Sequence, residues 1–226
     1  PKWYGMEHSA PKLLNDFVYG LPELYRESMP GAKGIAVPGC YPSAAIIALS
    51  PFSNGSYIET KGVIVDAASG VSGAGRAPKA NTTFATVDEN FAAYGLLDHR
   101  HTPEMEQEIG CEVLFTPHLA PMVRGILATC YARPVNSSFT SADAMQVLHH
   151  AYDDEPFIFV DKTPPSTKST LGANTVHLTA RVDDRTGWLI VISALDNLVK
   201  GASGAALQCA NVVLGLKETT GLPSLG

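Results

Sequence analysis

Residues 176–194 read VHLTARVDDRTGWLIVISA, and they carry the clearest signal for the class of fold. The two runs 176–182 and 188–194 are rich in valine, isoleucine, leucine and threonine, which fit a half-buried pleated surface. Between them, Asp183-Asp184-Arg185-Thr186-Gly187 is polar and ends in glycine, which is typical of a hairpin loop. The sequence therefore predicts two adjacent antiparallel strands here.

The rest of the chain alternates between short apolar runs and segments with helical spacing. Strands are predicted at 34–37, 62–67, 111–116 and 125–132. Helices are predicted at 3–14, 42–49, from 102 onward, 140–154 and 197–216. Because neighbouring strands have hairpin-like joins, we expect an α+β fold with a mixed, largely antiparallel sheet. No repeat or linker divides the sequence, so residues 1–226 are expected to form one domain.

Composition and charge exclude several classes of protein. The chain has 226 residues with 16 basic and 22 acidic side chains, a net charge of −6 and no basic run. A nucleic-acid partner would need a basic surface, so none is expected. No apolar stretch reaches the roughly 18 residues of a membrane span, so no membrane partner is expected either. The chain starts at Pro1 and lacks a signal peptide, which we interpret as the interior of a longer protein.

The four cysteines differ in their surroundings. They are widely spaced and form no CxxC pair, so neither a disulfide framework nor a metal site is expected. Cys111, Cys130 and Cys209 lie in apolar contexts and are predicted to be buried thiols. Cys40 instead follows Pro38-Gly39, between a predicted strand and a predicted helix.

Cys40 is a candidate nucleophile because of that position. The positive potential at a helix N-terminus lowers the pKa of a thiol. An ordinary thiol is only about 3% ionised at neutral pH, so such a placement would matter for reactivity. The alternative, an inert cysteine in a tight turn, stays open.

His99-Arg100-His101 stands directly before a predicted helix, where three basic side chains are unlike core residues. An imidazole there could deprotonate a thiol or pass a proton to an oxygen. Glu104, one turn into the helix, could orient that imidazole. The alternative is a solvated surface patch.

Two further segments could bind an anion or a cofactor. The glycine-rich loop Ser69–Arg76 offers backbone N–H groups and a guanidinium, although it fits neither the Walker A nor the GxGxxG pattern. Arg124 is a second candidate anion ligand. At the start of the last predicted helix, Asn197 and Lys200 could face a ligand, or Asp196 or Asn197 could simply cap the helix. A tight structural loop remains the alternative for Ser69–Arg76.

Five ordered motifs together give a specific resemblance. They are Gly39-Cys40-Tyr41-Pro42, the loop 69–76, 99–104, 115–126 and Asp196-Asn197-Leu198-Val199-Lys200-Gly201-Ala202. This series resembles the N-acetyl-γ-glutamyl-phosphate reductase family over essentially the whole chain. The resemblance implies a sheet with helices packed on one face, as in the catalytic domains of glyceraldehyde-3-phosphate dehydrogenase and aspartate-semialdehyde dehydrogenase. It also implies a single catalytic and dimerisation domain, with the family's N-terminal dinucleotide-binding (Rossmann) domain missing from these residues.

The resemblance further implies NADPH-dependent reduction of an acyl phosphate to a semialdehyde in arginine biosynthesis, through a cysteine thioester. Cys40 matches the nucleophile and His99 the acid/base, with Glu104 as the partner of His99 and His101 as the second choice for acid/base. Residues expected at the cofactor, NADP, are Ser69, Gly70, Ser72, Gly73, Asn197 and Lys200. Residues expected at the substrate are Arg100, Arg124, His101 and Arg76.

Two other functions stay open at this point. One is the same chemistry on the aminoadipyl phosphate of lysine biosynthesis, for which a basic docking surface would be expected. The other is a catalytically incomplete oligomerisation module, since domains of this kind assemble sheet against sheet in the related dehydrogenases. A homo-oligomer, either dimer or tetramer, is expected under any of these readings. The expected location is the cytoplasm, or an organelle matrix in a eukaryote.

Overall fold

The structure is a computed structural model that describes residues 2–224. Those residues form nine strands and six α-helices. The strands are β1 (Phe17–Tyr19), β2 (Gly34–Ala36), β3 (Val63–Gly70), β4 (Ala92–Ala93), β5 (Val113–Ala120), β6 (Ile126–Ala132), β7 (Ile158–Val160), β8 (Val176–Val182) and β9 (Leu189–Leu195). The helices are α1 (Pro22–Tyr25), α2 (Cys40–Asn54), α3 (Phe84–Val87), α4 (Thr102–Ile109), α5 (Ser141–Tyr152) and α6 (Gly204–Val213).

Seven of the strands form one sheet in the order β4-β5-β3-β6-β9-β8-β7. The pairs β3–β5 and β7–β8 are parallel, and the other four pairs are antiparallel. The predicted mixed, largely antiparallel α+β fold is therefore confirmed. The predicted hairpin is β8–β9, in which Val182 lies opposite Leu189. Gly187 closes its loop at φ 71°, and its N–H donates to the Asp183 carbonyl.

The sheet has one covered face and one open face. Along β6, Ile126, Ala128, Cys130 and Ala132 are buried, whereas Leu127, Thr129 and Tyr131 between them are half-buried. Alternate residues of a strand point to opposite faces. Helices α2, α4 and α5 contact β6, β9, β5 and β8, and their apolar residues form the core with the covered face. The predicted placement of helices on one face is confirmed.

Helix α2 lies at the centre of this core. Its residues from Tyr41 to Ser50 are all buried, as is Phe52. From α5, the buried Tyr152 hydroxyl donates to the Ile47 carbonyl at 2.7 Å. A helix that is packed on all sides is held rigidly, and its first residue, Cys40, is held with it.

The predicted helix at 3–14 is wrong. A 3₁₀-helix forms only at Pro11–Asp16, and it buries no residue. Leu13 and Leu14 are exposed, so their helical spacing has no core to pack against. In isolation such a short helix is marginal, because helical stability in proteins comes mainly from packing.

The last predicted helix is divided into two parts. It begins with a π-helical turn at Val199–Ser203 and continues as α6. Lys200 and Gly201 are both buried in the π-helical turn. None of the helices formed by residues 2–224 combines the length and apolar character needed to cross a membrane.

Candidate functional site

Cys40 is the first residue of α2 and is only partly buried. The other three cysteines are buried thiols, as predicted. Gly39 precedes the helix in an extended conformation, with φ −68° and ψ 159°. On the other side, Gly201 packs directly on the nucleophile candidate: a Cβ built at Gly201 would lie 2.8 Å from the Cys40 Cβ. Only glycine allows this approach.

The pKa of the Cys40 thiol is raised, which differs from the direction expected for a helix N-terminus. Burial is the largest cause, and the nearby Glu104 carboxylate adds to it. The N–H groups of Tyr41 and Cys40 and the charge of Arg100 act in the opposite direction. Desolvation disfavours a thiolate more than two N–H donors favour it here. The thiol therefore needs a proton acceptor when it reacts.

His99 and His101 pack on the two residues that flank Cys40. The ring of His99 packs edge-on against Tyr41, the residue after Cys40, with centroids 5.7 Å apart. It also contacts Tyr94 at 5.5 Å and the His101 ring at 4.8 Å. His101 packs on the turn before Cys40, because a Cβ at Gly39 would lie 2.5 Å from the His101 Nε2 atom.

Both imidazoles are neutral at pH 7. Burial lowers the pKa of His99, and the Arg100 charge lowers it further. Burial and the neighbouring His99 and Arg100 lower the pKa of His101 to about 3. His99 Nδ1 accepts the His101 backbone N–H at 3.2 Å. The proton of the neutral His99 ring therefore lies on Nε2, which is a hydrogen-bond donor.

The low pKa of His101 makes a prediction for stability. Its folded-state pKa of about 3 lies below the value near 6.5 expected when unfolded, so the unfolded chain binds the proton first as the pH falls. The contribution to stability is complete above about pH 7 and is lost progressively towards pH 3. Between pH 7.5 and pH 5 we expect the protein to lose about 1 to 2 kcal/mol of unfolding free energy that His101→Gln does not lose. Urea unfolding of the wild type and of His101→Gln at the two pH values measures this difference. An equal loss of unfolding free energy in both proteins would contradict the lowered pKa of His101.

Glu104 is not the hydrogen-bond partner of His99, so that expectation is corrected. Its Oε1 atom accepts the backbone N–H of Gly39 at 2.9 Å and the hydroxyl of Tyr19 at 2.8 Å. Burial raises the pKa of Glu104. The helical position points this carboxylate at the turn before Cys40 instead of at the imidazole.

The loop at Ser69–Arg76 does not cradle an anion with its first N–H groups. Gly70, Val71 and Ser72 donate their N–H groups to carbonyls of the segment 122–125. Ser69 and Gly70 are the buried end of β3, and Gly73 is exposed. The first half of this segment is therefore a tight structural loop, which was the alternative left open by the sequence. Gly73, in contrast, can be approached from solvent.

Lys200 does not face a cofactor, so that expectation is also corrected. Its side chain is fully buried and pairs with the equally buried Glu23, with Nζ 2.5 Å from Oε1. Asn197 is used structurally: Oδ1 accepts the Gly125 N–H at 2.7 Å and Nδ2 donates to Ser72 Oγ at 3.0 Å. Asp196 caps the turn by accepting the Leu198 N–H at 2.8 Å.

Breaking the buried pair of Lys200 is expected to be costly. Glu23→Ala leaves an ammonium in the core without its carboxylate, for which about 3 to 5 kcal/mol of unfolding free energy is typically lost. Glu27→Ala, four residues later and exposed, is the control and is expected to change stability little. Urea unfolding at pH 7.5 checks both. Equal unfolding free energies for Glu23→Ala and Glu27→Ala would mean that the Glu23–Lys200 pair is not formed.

The three arginines are placed differently from one another. Arg100 is exposed next to the cysteine and the histidines, and its charge lowers the pKa of Cys40. Arg124 Nη1 lies 3.2 Å from the buried Asp196 Oδ2, so its charge is already paired. Arg76 is exposed in the loop after β3. A cavity of about 990 Å³ lies at the other end of α2 and is lined by none of these residues.

Sequence reasoning missed several residues of the site. Tyr41, Tyr94 and Phe115 surround His99, and Gly201 packs on Cys40. A glycine inside a predicted helix is a signal of close packing, and it could have identified Gly201. The aromatic residues come from three separate segments, which no spacing in the sequence brings together. Residues 2–224 contain no cluster of three or more histidine, cysteine or acidic side chains placed to hold a metal ion.

Comparison with known proteins first defines the class. A family model described as "Semialdehyde dehydrogenase, dimerisation domain" matches residues 40–197. Aspartate semialdehyde dehydrogenase II of Vibrio cholerae, solved with ASA, has the same fold, with a TM-score of 0.71 at 18% identity, covering 89% of this chain and 69% of that one. The enzyme of Francisella tularensis gives 0.70 at 12% identity, covering 91% and 73%.

Curated relatives then define the family. N-acetyl-γ-glutamyl-phosphate reductase of Magnetococcus marinus is 48% identical over 231 residues, covering 99% of this chain and 66% of the relative. The protein of that name in Desulforamulus reducens is 47% identical over 232 residues, covering 99% and 67%. The chain belongs to the N-acetyl-γ-glutamyl-phosphate reductase family. It spans about two thirds of the length of these relatives.

Proposed function

We propose that this chain carries the acyl-transfer half of an N-acetyl-γ-glutamyl-phosphate reductase. The observation that carries the proposal is one accessible thiol, Cys40, at the start of a rigid helix and beside two neutral imidazoles. The S–H bond of Cys40 breaks as its sulfur attacks the acyl carbon and a C–S bond forms. The bond from that carbon to the phosphate oxygen then breaks, and the leaving phosphate takes the thiol proton and departs as hydrogen phosphate. The product is a thioester, which accepts hydride far more readily than a carboxylate does.

His99 is the acid/base of the proposed reaction. Because its Nε2 carries the proton, His99 acts first as a donor to the oxygen that becomes negative when the acyl carbon is attacked. The N–H groups of Cys40 and Tyr41, which already stabilise the thiolate, are the other donors at this point. His101, with a pKa of about 3, stays neutral and packs against the turn.

Substrate contacts are proposed for the arginines in order of availability. Arg100 is exposed beside Cys40 and is the first candidate for the carboxylate or phosphate of the substrate. Arg124 and Arg76 are secondary candidates, since Arg124 is paired with Asp196 and Arg76 lies further along its loop.

A nicotinamide cofactor, which we propose to be NADPH, supplies the hydride when bound. The residues that fit it are those at the edge of the site. Gly73 is exposed and Ser72 is fixed by Asn197, so a flat ring can approach this end of the turn, whereas Ser69 and Gly70 are buried. We place the dinucleotide-binding domain that the resemblance implies outside residues 1–226. A cytoplasmic or organelle-matrix location is proposed from the biosynthetic relatives and the free thiols.

Phosphate release tests the proposed reaction. N-acetyl-γ-glutamyl phosphate, mixed with the protein without nucleotide, is expected to release one phosphate per chain in a burst and then to stop. The one-carbon-longer aminoadipyl phosphate is the comparison substrate and is expected to react more slowly. If a folded protein shows no burst with either substrate, the proposed reaction is wrong. A faster reaction with aminoadipyl phosphate would assign the chain to lysine biosynthesis instead.

We further propose that the open face of the sheet forms a homo-oligomer contact. The matching family model is a dimerisation domain, and the half-buried Leu127, Tyr131 and Ile190 lie on this face. Tyr131→Glu together with Ile190→Glu is expected to halve the mass in sedimentation equilibrium. An unchanged mass would place the contact elsewhere.

A further inference from the structure

The segment Tyr19–Glu23 takes no part in the proposed chemistry, yet its two ends reach towards both sides of Cys40. Tyr19 ends β1, and Glu23 lies in α1. The backbone between them is pressed onto the strand that leads to the nucleophile: the Gly20 N–H donates to the Ala36 carbonyl at 2.8 Å. A Cβ at Gly20 would lie 2.7 Å from Ile35 Cγ2 and 3.0 Å from Val37 Cα, so only glycine fits.

The upstream side of Cys40 is held through Glu104. The Tyr19 hydroxyl and the Gly39 N–H both donate to the same oxygen of Glu104, at 2.8 and 2.9 Å. Gly39 is the residue directly before Cys40, so the orientation of this peptide depends on where Glu104 is kept. Tyr19 keeps it there.

The opposite side of Cys40 is held through Lys200. Glu23 Oε1 accepts from Lys200 Nζ at 2.5 Å and from Gln208 Nε2 at 3.0 Å. Lys200 belongs to the π-helical turn, and the next residue, Gly201, packs on the Cys40 Cβ. Single π-helical turns inside helices are rare and occur frequently at functional sites.

The charges of Glu23 and Lys200 are costly to bury. Replacement of a buried ion pair by apolar side chains is often neutral or stabilising, so such a pair is weak evidence for a role in stability. A role in fixing one conformation accounts for its presence beside the nucleophile.

We propose that Tyr19 and Glu23 are positioning residues: through Glu104 and Lys200 they clamp the two backbone segments, Gly39 and Gly201, between which Cys40 is held. The inference rests on the proposed function for its kinetic consequence, but not for its structural one. Neither residue touches the substrate, and each acts through a second side chain.

Tyr19→Phe, compared with a matched control, tests the contact of Tyr19 with Glu104 that fixes Gly39. Tyr25→Phe removes the same kind of hydroxyl, which donates to Glu108 one turn further along α4, away from Gly39. In Tyr19→Phe, amide hydrogen exchange in a peptide covering 38–41 is expected to be about 10-fold faster, since one fixing contact is lost. In Tyr25→Phe it is expected to equal the wild type. This readout needs no substrate, so equal exchange in all three proteins would overturn the clamp whatever the reaction proves to be.

The acylation rate gives the kinetic readout. With N-acetyl-γ-glutamyl phosphate, Tyr19→Phe is expected to lower the rate of phosphate release at saturation by about 10-fold and to leave the half-saturating concentration unchanged, because a displaced nucleophile slows attack without weakening binding. A rise in the half-saturating concentration alone would mean that Tyr19 serves binding, and would overturn the proposal. If the wild type releases no phosphate, the proposed function is wrong. Amide hydrogen exchange in residues 38–41 then still tests whether Tyr19 fixes the position of Gly39.

The double variant Glu23→Leu/Lys200→Met tests the buried ion pair that holds Gly201 against Cys40. It removes both charges and retains apolar volume, so stability is expected to be equal or higher. The rate of phosphate release at saturation is nevertheless expected to fall by about 10-fold, since Gly201 is no longer held against Cys40. A stable variant with an unchanged rate would show that the pair is structural only. Should this variant not fold, the Tyr19→Phe comparison decides alone.

Discussion

Cys40→Ser is expected to lower the rate of phosphate release from N-acetyl-γ-glutamyl phosphate by at least about 10⁴-fold, since a serine hydroxyl beside neutral imidazoles is a far weaker nucleophile than a thiolate. The substitution changes packing little, because Cys40 is only partly buried at the edge of the core and serine differs from cysteine by a single atom. The unfolding free energy should therefore change little. Stopped-flow detection of phosphate measures the rate.

Cys111→Ser is the control for this experiment. Cys111 is also a free thiol, but it is buried and lies outside the group formed by Cys40, His99 and His101. Its rate of phosphate release is expected to match the wild type once the fraction of folded protein is taken into account. A Cys40→Ser protein that keeps a tenth or more of the activity would remove Cys40 from the reaction.

Gly201→Ala has the second largest expected effect. The added methyl group would lie 2.8 Å from Cys40 Cβ, 3.2 Å from Cys40 Cα and 3.2 Å from Leu195 Cδ1. Two of these atoms belong to Cys40 at the rigid start of α2, so Cys40 itself has to move. A displacement of about 1 Å costs about 100-fold in rate. We expect that loss in phosphate release, with about 1 to 3 kcal/mol of destabilisation from overpacking.

Ala202→Ser is the matched control for Gly201→Ala. Ala202 occupies the next position of the same π-helical turn and is exposed. The added oxygen meets solvent, so both the rate and the urea midpoint are expected to stay at the wild-type values. If Gly201→Ala behaves like this control, the contact between Gly201 and Cys40 does not constrain the nucleophile.

Elements with strong local signals could be predicted from the sequence. The hairpin of β8 and β9 was placed within one residue, because its loop chemistry and alternation are contained in the nineteen letters 176–194. The start of α2 near Cys40 followed from Pro38-Gly39 and Pro42 in the same way. The predicted helix at 3–14 is wrong for the opposite reason. Its spacing is helical, but the rest of the fold decides whether a core lies beneath it.

The candidate site was predicted in its residues but not in all of its contacts. His99 and His101 pack on Tyr41 and Gly39, the two residues that flank Cys40, and the sequence distance between these segments could not show this. The resemblance places Lys200 at the cofactor, because the start of the last predicted helix matches a segment expected at the nicotinamide. Its partner Glu23 is 177 residues away, and no local pattern reveals that the two are buried together.

Glu104 illustrates the same limit. Its position in the first turn of α4 was read correctly, yet its contacts are with Gly39 and Tyr19 and not with His99. The direction of a side chain on a helix depends on how the helix is rotated in the core, and that rotation is fixed by buried residues such as Met105 and Ile109. The raised pKa of Cys40 likewise depends on burial, which only the folded structure shows.

The most direct test of the central claim is the mass of the protein after brief exposure to N-acetyl-γ-glutamyl phosphate without nucleotide, followed by peptide mapping. Attack by Cys40 with loss of phosphate predicts one acyl adduct per chain, on Cys40, and none on Cys111, Cys130 or Cys209, which are buried. The adduct should disappear in Cys40→Ser. An adduct on another residue, or a folded protein that remains unmodified, would contradict the proposal that this chain forms the thioester.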